Sequence, residues 1–217
     1  MPDLVRHRLA LRTEMVAGWR FDLVAIEDFE AAVTELAEAV VRGGDPRWFE
    51  DLCPMFGVVW PSARALAERA ATMPLRGRRV LELGCGLALP SLVAARAGAE
   101  VVATDQHPDT PAFLAQNLER NRLSLTYRAF DWAGPLPDDV VERSFDLVLA
   151  SDVLYAFGMA ELVAASFDRF LAEDGEGLLA DPGRPWLQEF ADAARARGLG
   201  VEVDVEGETW LLSVRRT

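Results

Sequence analysis

The chain has 217 residues, half of them hydrophobic, and a net charge of −13. That is length for one large domain with an extension, and enough apolar residue for a substantial core. An excess of acid argues against a nucleic-acid backbone as partner, no stretch approaches the roughly 20 apolar residues of a membrane span, and Met1–His7 lacks the apolar core of a secretory signal. A cytoplasmic protein with neither a nucleic-acid nor a membrane partner is expected. Two cysteines, Cys53 and Cys85, are too few for a disulfide framework or a metal cluster, so both are expected to be reduced and no metal is expected. All 22 basic residues are arginines, so no lysine of this chain can act as base, Schiff-base former or self-methylation site.

Two alternating runs in residues 5–26, around Ala17-Gly18, predict a hairpin. Phe29, Val33, Leu36, Ala37 and Val40 recur at helical spacing over Glu27–Val41, and Gly43-Gly44-Asp45-Pro46 ends that helix. A second helix is expected from Pro61, with Ser62 near its cap, to about Thr72. From Arg79 strand and helix alternate. Strands are expected at Val80–Leu83, Val101–Thr104, Leu125–Phe130, Phe145–Ala150 and Glu176–Ala180. Helices are expected over about Pro90–Ala97, Pro111–Arg120, Ala160–Leu171 and Pro185–Arg197. Val201–Val205 and Thr209–Val214, joined by Glu206-Gly207-Glu208, read as a hairpin. The prediction is an α/β fold: a doubly wound, mostly parallel, seven-stranded sheet with an antiparallel C-terminal strand. Ligands of such sheets bind at the carboxyl ends of the strands. Residues 1–55 are expected to form an extension that caps the substrate side of a domain over 56–217.

The strongest chemical signal is Glu82-Leu83-Gly84-Cys85-Gly86. Gly84 and Gly86 allow backbone to approach a ligand where a Cβ would clash. A dinucleotide fingerprint would need a glycine at position 89, which is leucine here, so pyrophosphate is disfavoured. Glu82 also suits an amine-bearing ligand better than a phosphate. Asp105, 21 residues after Gly84 at the end of the second parallel strand, can accept two ribose hydroxyls; the alternative is a helix-capping or turn aspartate. Gln106 follows it. Asp131 after the third strand can accept an adenine amino group, with the Trp132 indole packing on the base; the alternative is a core tryptophan beside a turn aspartate. Ser151, Asp152 and Tyr155 end the almost wholly apolar fourth strand, where both Asp152 and Tyr155 can face the cleft; the alternative is that Asp152 caps the next helix and Tyr155 packs. His107, beside Pro108, reads as a loop residue rather than a base.

These motifs carry a resemblance. The chain is similar to the class I, seven-strand S-adenosylmethionine-dependent methyltransferases with a Rossmann-like sheet. Within them it resembles the protein-lysine methyltransferases related to those of valosin-containing protein and Hsp70, and the bacterial electron-transfer-flavoprotein β-subunit lysine methyltransferases. The matching segments are Val59-Trp60-Pro61-Ser62-Ala63, Val80–Gly86, Thr104-Asp105, Asp131-Trp132, Ser151-Asp152-Val153-Leu154-Tyr155 and Ala180-Asp181-Pro182-Gly183-Arg184. The resemblance implies that Trp60 lines the cofactor pocket and that Asp152 and Tyr155 serve cofactor and acceptor lysine. It departs at Ala88, where a third loop glycine is common, and residues 1–55 match only loosely. The expected cofactor set is Trp60, Glu82, Gly84, Cys85, Gly86, Asp105, Gln106, Asp131, Trp132 and Ser151, with Asp152 and Tyr155 catalytic. The expected acceptor is a protein side chain, lysine favoured. The rivals are N- or O-methylation of a small molecule and a module that holds the cofactor without chemistry.

Overall fold

The computed structural model describes residues 8–217. The Met1–His7 segment and the beginning of the hairpin predicted from residue 5 lie outside the described residues. The chain opens with an antiparallel pair, β1 (Leu9–Val16) and β2 (Trp19–Ile26), turned at Ala17-Gly18. α1 (Phe29–Val41) follows, two residues later than predicted, because Asp28 is its cap: Oδ1 accepts the Ala31 N–H at 3.0 Å. The short α2 (Arg47–Asp51) and a 3₁₀ turn at Pro54–Gly57 were not predicted; neither is long enough to show a period. α3 (Pro61–Ala71) begins with proline at its first position, as expected, but its cap is Trp60, and Ser62 is a buried residue of the first turn rather than a cap.

The remaining elements are β3 (Arg79–Leu83), α4 (Leu89–Arg96), β4 (Glu100–Thr104), α5 (Thr110–Asn121), β5 (Thr126–Arg128), β6 (Phe145–Ser151), α6 (Met159–Phe170), β7 (Leu171–Asp181), α7 (Trp186–Ala196), β8 (Leu199–Glu206) and β9 (Thr209–Arg216). Seven strands form one sheet in the order β5-β4-β3-β6-β7-β9-β8, in which β9 runs against both neighbours and the rest are parallel. Two lengths differ from expectation. β5 is only three residues, an edge strand with one neighbour. β7 starts five residues early because Leu171 pairs with Phe145; the register then shifts, and Ala172 to Gly175 bulge out between that pair and the Leu147–Glu176 pair, with Gly175 close on the Phe145 carbonyl.

Alternation along β6 explains the layers. Leu147 and Leu149 face a core with α3, α4 and the hairpin residues Val16, Phe21 and Leu23. Val148 and Ala150 face the other core, built with Phe167 and Phe170 of α6 and Phe190 of α7. A strand covered on both faces reads as a near-continuous apolar run, as Leu147 to Ala150 of β6 do. β2 is held to α5 by Asn117 and Asn121, whose side-chain oxygens accept the Val24 and Asp22 N–H groups at 2.7 and 3.0 Å. Among the described residues, no helix is long and apolar enough to cross a membrane.

Candidate active site

Parallel pairing aligns the strand ends. Leu83 pairs with Thr104 and with Ala150, and Ser151 pairs with Ala180. The next residues, Gly84, Asp105, Asp152 and Asp181, therefore emerge along one edge of the sheet. Gly84 and Gly86 have φ of +66° and +51°, the left-handed region that favours glycine. A Cβ at Gly84 would lie 2.9 Å from Val153 Cγ1, and one at Gly86 would lie 3.0 Å from the Phe56 carbonyl oxygen. The loop is thus pressed from both sides with no room for a side chain. Ala88, at φ +61°, completes it and caps α4 through its backbone.

Asp105 is half-buried. Its Oδ2 accepts the Gly86 N–H and its Oδ1 the His107 N–H, both at 2.9 Å. It does not cap α5, which starts at Thr110. Each oxygen keeps lone-pair capacity for a hydroxyl donor. Gln106 beside it is exposed. Cys85 is buried under the loop, its thiol pushed up by burial first and then by Asp105 and Glu82; Cys53 is also buried and free.

Glu82 is a correction to the expectation of an acid facing an amine. It lies wholly buried beneath the loop, and its Oε2 accepts both the N–H (2.9 Å) and the hydroxyl of Ser91. Burial pushes its carboxyl up to about 8, against the pull of Ser91. It is mostly protonated at neutral pH and ties β3 to the first turn of α4.

Asp131 is exposed and turns the chain, its Oδ1 accepting the Ala133 N–H at 2.9 Å. Trp132 is partly core: its ring packs against the main apolar cluster and over Gly84, and its Nε1 donates to Thr104 Oγ1 at 3.2 Å. Trp60 donates from Nε1 to the Met55 carbonyl at 2.9 Å and meets the Phe29 ring edge-on at 5.3 Å. His107 is buried against Phe56, ring centroids 4.1 Å apart, and its Nδ1 accepts the Asp109 N–H.

Asp152 does not cap α6, whose cap is Gly158. It has φ +59° and a side chain only 11% exposed. Oδ1 lies 3.0 Å from Arg184 Nη1, and Oδ2 is buried without a hydrogen-bond partner. Burial raises its carboxyl above the ordinary range, while Arg184 and, more weakly, the nearby Ser62 hydroxyl pull it down. Tyr155 is half exposed; burial, then Asp105 and Cys53, push its phenol up, so it remains a neutral O–H. Arg184, which the sequence offered only as part of the Ala180–Arg184 segment, lies between Asp152 and Asp181.

A mostly parallel sheet in this strand order, with a glycine loop after β3 and an acid at the end of β4, is the frame of a class I S-adenosylmethionine-dependent methyltransferase. Residues 54–185 match the lysine methyltransferase family. The chain is 35% identical over 184 residues to the protein N-terminal and lysine N-methyltransferase EFM7 of Eremothecium gossypii, covering 72% of this chain and 68% of that one. It is 30% identical to the electron transfer flavoprotein beta subunit lysine methyltransferase of Danio rerio, covering 63% of this chain and 53%, about half, of the relative. In fold it is similar to the 16S rRNA N2 G1207 methyltransferase RsmC of T. thermophilus, solved with AdoMet and guanosine, at a TM-score of 0.70 and 21% identity over all of this chain and 52% of that one. The chain belongs to the lysine methyltransferase family and is an S-adenosylmethionine-dependent methyltransferase.

The residues fit that cofactor. The half-buried glycine loop carries no side chain at Gly84 or Gly86, and an oriented carboxylate with remaining lone pairs stands one strand away. When bound, S-adenosylmethionine supplies a methyl group on a sulfonium centre, from which a neutral nucleophile displaces the thioether of S-adenosylhomocysteine.

Proposed function

We propose that the acceptor is the ε-amine of a lysine in another protein. The observation that carries this reading is Asp152: a carboxylate at the end of β6, mostly buried, with one oxygen paired to Arg184 and no cation on the other, which has only the Ser62 hydroxyl nearby. Such an oxygen suits a cationic amine better than a neutral hydroxyl, because burying an unpaired carboxylate is costly and an ammonium offsets that cost. The names of the relatives agree with it.

In this reading Asp152 holds the incoming amine and Tyr155 encloses its aliphatic stem at the cleft mouth. Gly84, Cys85 and Gly86 offer backbone to the amino-acid end of the cofactor, Asp105 takes the ribose hydroxyls with Gln106 beside it, and Asp131 with Trp132 meets the adenine. Trp60 and Ser151 complete the wall, and Glu82 shapes the loop from below. A lysine amine is charged at neutral pH. Desolvation in the channel favours its neutral form, while Asp152 favours the charged one, so the proton must leave to water before transfer. In this reading the extension before residue 56 serves as a cap on the substrate side, supported in its described part by Phe29 of α1 against Trp60 and by Ile26 beside Gly57. Two free cysteines suit the reducing cytoplasm.

Incubation with tritiated S-adenosylmethionine and a lysate depleted of its own methylation tests the acceptor. Label should enter protein as N-methyl-lysine. Label confined to the small-molecule fraction would overturn the reading. Asp152→Asn should cut the labelling rate roughly 10- to 100-fold while cofactor affinity changes little. Asparagine tolerates the left-handed backbone, so the fold should survive.

A further inference from the structure

We propose that Arg184 is a positioning residue that fixes Asp152 by one oxygen and keeps it ionised, reserving the other oxygen for the acceptor amine. The inference rests on the reading of Asp152 as the group that holds that amine.

Arg184 is set from two directions. Its Nη1 lies 2.9 Å from Asp181 Oδ2 and 3.0 Å from Asp152 Oδ1. Asp181 is fully buried, and its other oxygen accepts the N–H groups of Gly183 (2.8 Å) and of Arg184 itself (2.7 Å). One carboxylate thus folds the Asp181–Arg184 loop and aims the guanidinium it carries. Gly183 is part of the device: it has φ +88°, and a Cβ there would meet Trp210 Nε1 at 2.7 Å. Asp152 is fixed as firmly at its backbone, where its N–H donates to the Ala180 carbonyl at 3.0 Å and its φ of +59° turns the side chain out of the strand.

The charge count gives the consequence. Asp152 and Asp181 face one guanidinium between them, so the cluster keeps one negative charge. Asp152 Oδ2 makes no ion pair, and the Ser62 hydroxyl in α3 is the weaker, neutral neighbour of the same carboxylate. That remaining charge is what a lysine ammonium would neutralise on entering beside Asp152. Without Arg184 the two buried carboxylates would face each other uncompensated, and Asp152 would hold a proton instead of an amine. The charged groups that act on Asp152 are Arg184 from the loop after β7 and Asp181 at the end of β7, with the Ser62 hydroxyl of α3 beside them.

The test compares wild type with R184M, R184K, D152N and D152N/R184M. The Asp152 carboxyl is titrated by carbon-detected NMR, and each protein is assayed for its initial rate of tritium transfer from S-adenosylmethionine into dilute lysate protein. The titration midpoint of Asp152 should rise by about one pH unit or more in R184M and stay near wild type in R184K. R184M should slow transfer at least about tenfold in the wild-type background and hardly at all in D152N, because it acts through Asp152. R184Q replaces R184M if the latter does not fold. An unmoved midpoint, or the same loss in both backgrounds, would overturn the proposal and leave Arg184 a structural residue. D152N as fast as wild type would instead overturn the reading of Asp152, and the proposal with it.

Discussion

Glu82 shows how burial reassigns a residue whose type suggested another task. Its Oε2 accepts two donors from Ser91 while Oε1 is buried without a partner, an arrangement that suits a neutral acid with its proton on Oε1. Its folded carboxyl titrates near 8, well above the ordinary 4.5. A raised acid pKa means that the native state holds the proton more tightly than the unfolded chain. The associated stability is therefore complete below about pH 4.5 and is lost as pH rises through 8. A shift of that size corresponds to several kcal/mol at most, roughly 4–5. Glu82→Gln reproduces the shape of the protonated acid without the titration. Melting curves at pH 5 and pH 8.5 should show the wild type losing stability between them and the Gln variant losing much less. Equal losses in both proteins would mean that Glu82 is ionised in the folded state.

At the scale of elements, the loop from β3 into α4 works because three alternate left-handed residues, Gly84, Gly86 and Ala88, bring backbone to the sheet edge. Ala88 alone carries a Cβ there and is fully buried. Ala88→Gly should leave stability within about 1 kcal/mol of wild type, since relief of the left-handed conformation offsets the added chain entropy. Ala88→Val places a branched side chain in that conformation inside a packed core and should cost more than about 2 kcal/mol, with cofactor affinity falling too. Denaturant titrations of both variants check the order. The same elements show what was legible. β6 could be read from its apolar run because both of its faces are buried. The early start of β7 could not, because Leu171 pairs with Phe145 across a bulge that holds Glu173-Asp174-Gly175. The glycine loop and Asp105 stand at strand ends that alternation locates. The Asp152–Arg184–Asp181 cluster was hidden, because its members share a site only after β6 and β7 pair in parallel.

For the whole molecule, the excess of acid becomes a statement about encounter. The chain carries 35 acidic residues against 22 arginines. Many arginines are already paired, as in Arg64 with Glu14, Arg197 with Glu161 and Arg215 with Glu176. Unmatched acid is displayed on the β8–β9 hairpin, where Glu202, Asp204, Glu206 and Glu208 are exposed. Charges on such an edge discourage strand addition by another chain. They also give the protein a negative field that would favour the approach of a basic acceptor protein, provided salt does not screen it. The Debye length falls from about 10 Å at 0.1 M salt to about 3 Å at 1 M. Labelling of lysate protein at substrate concentrations below saturation should therefore drop about tenfold or more as salt rises from about 0.05 to 0.5 M. The rate at saturation should change little, because Asp152 and its partners are buried and weakly screened. The assay has a clean background, since a chain without lysine cannot contribute N-methyl-lysine of its own. A labelling rate that is flat or rises with salt would show that the surface charge serves solubility alone, and that the acceptor is chosen by contacts near Tyr155 and the cap rather than by long-range attraction.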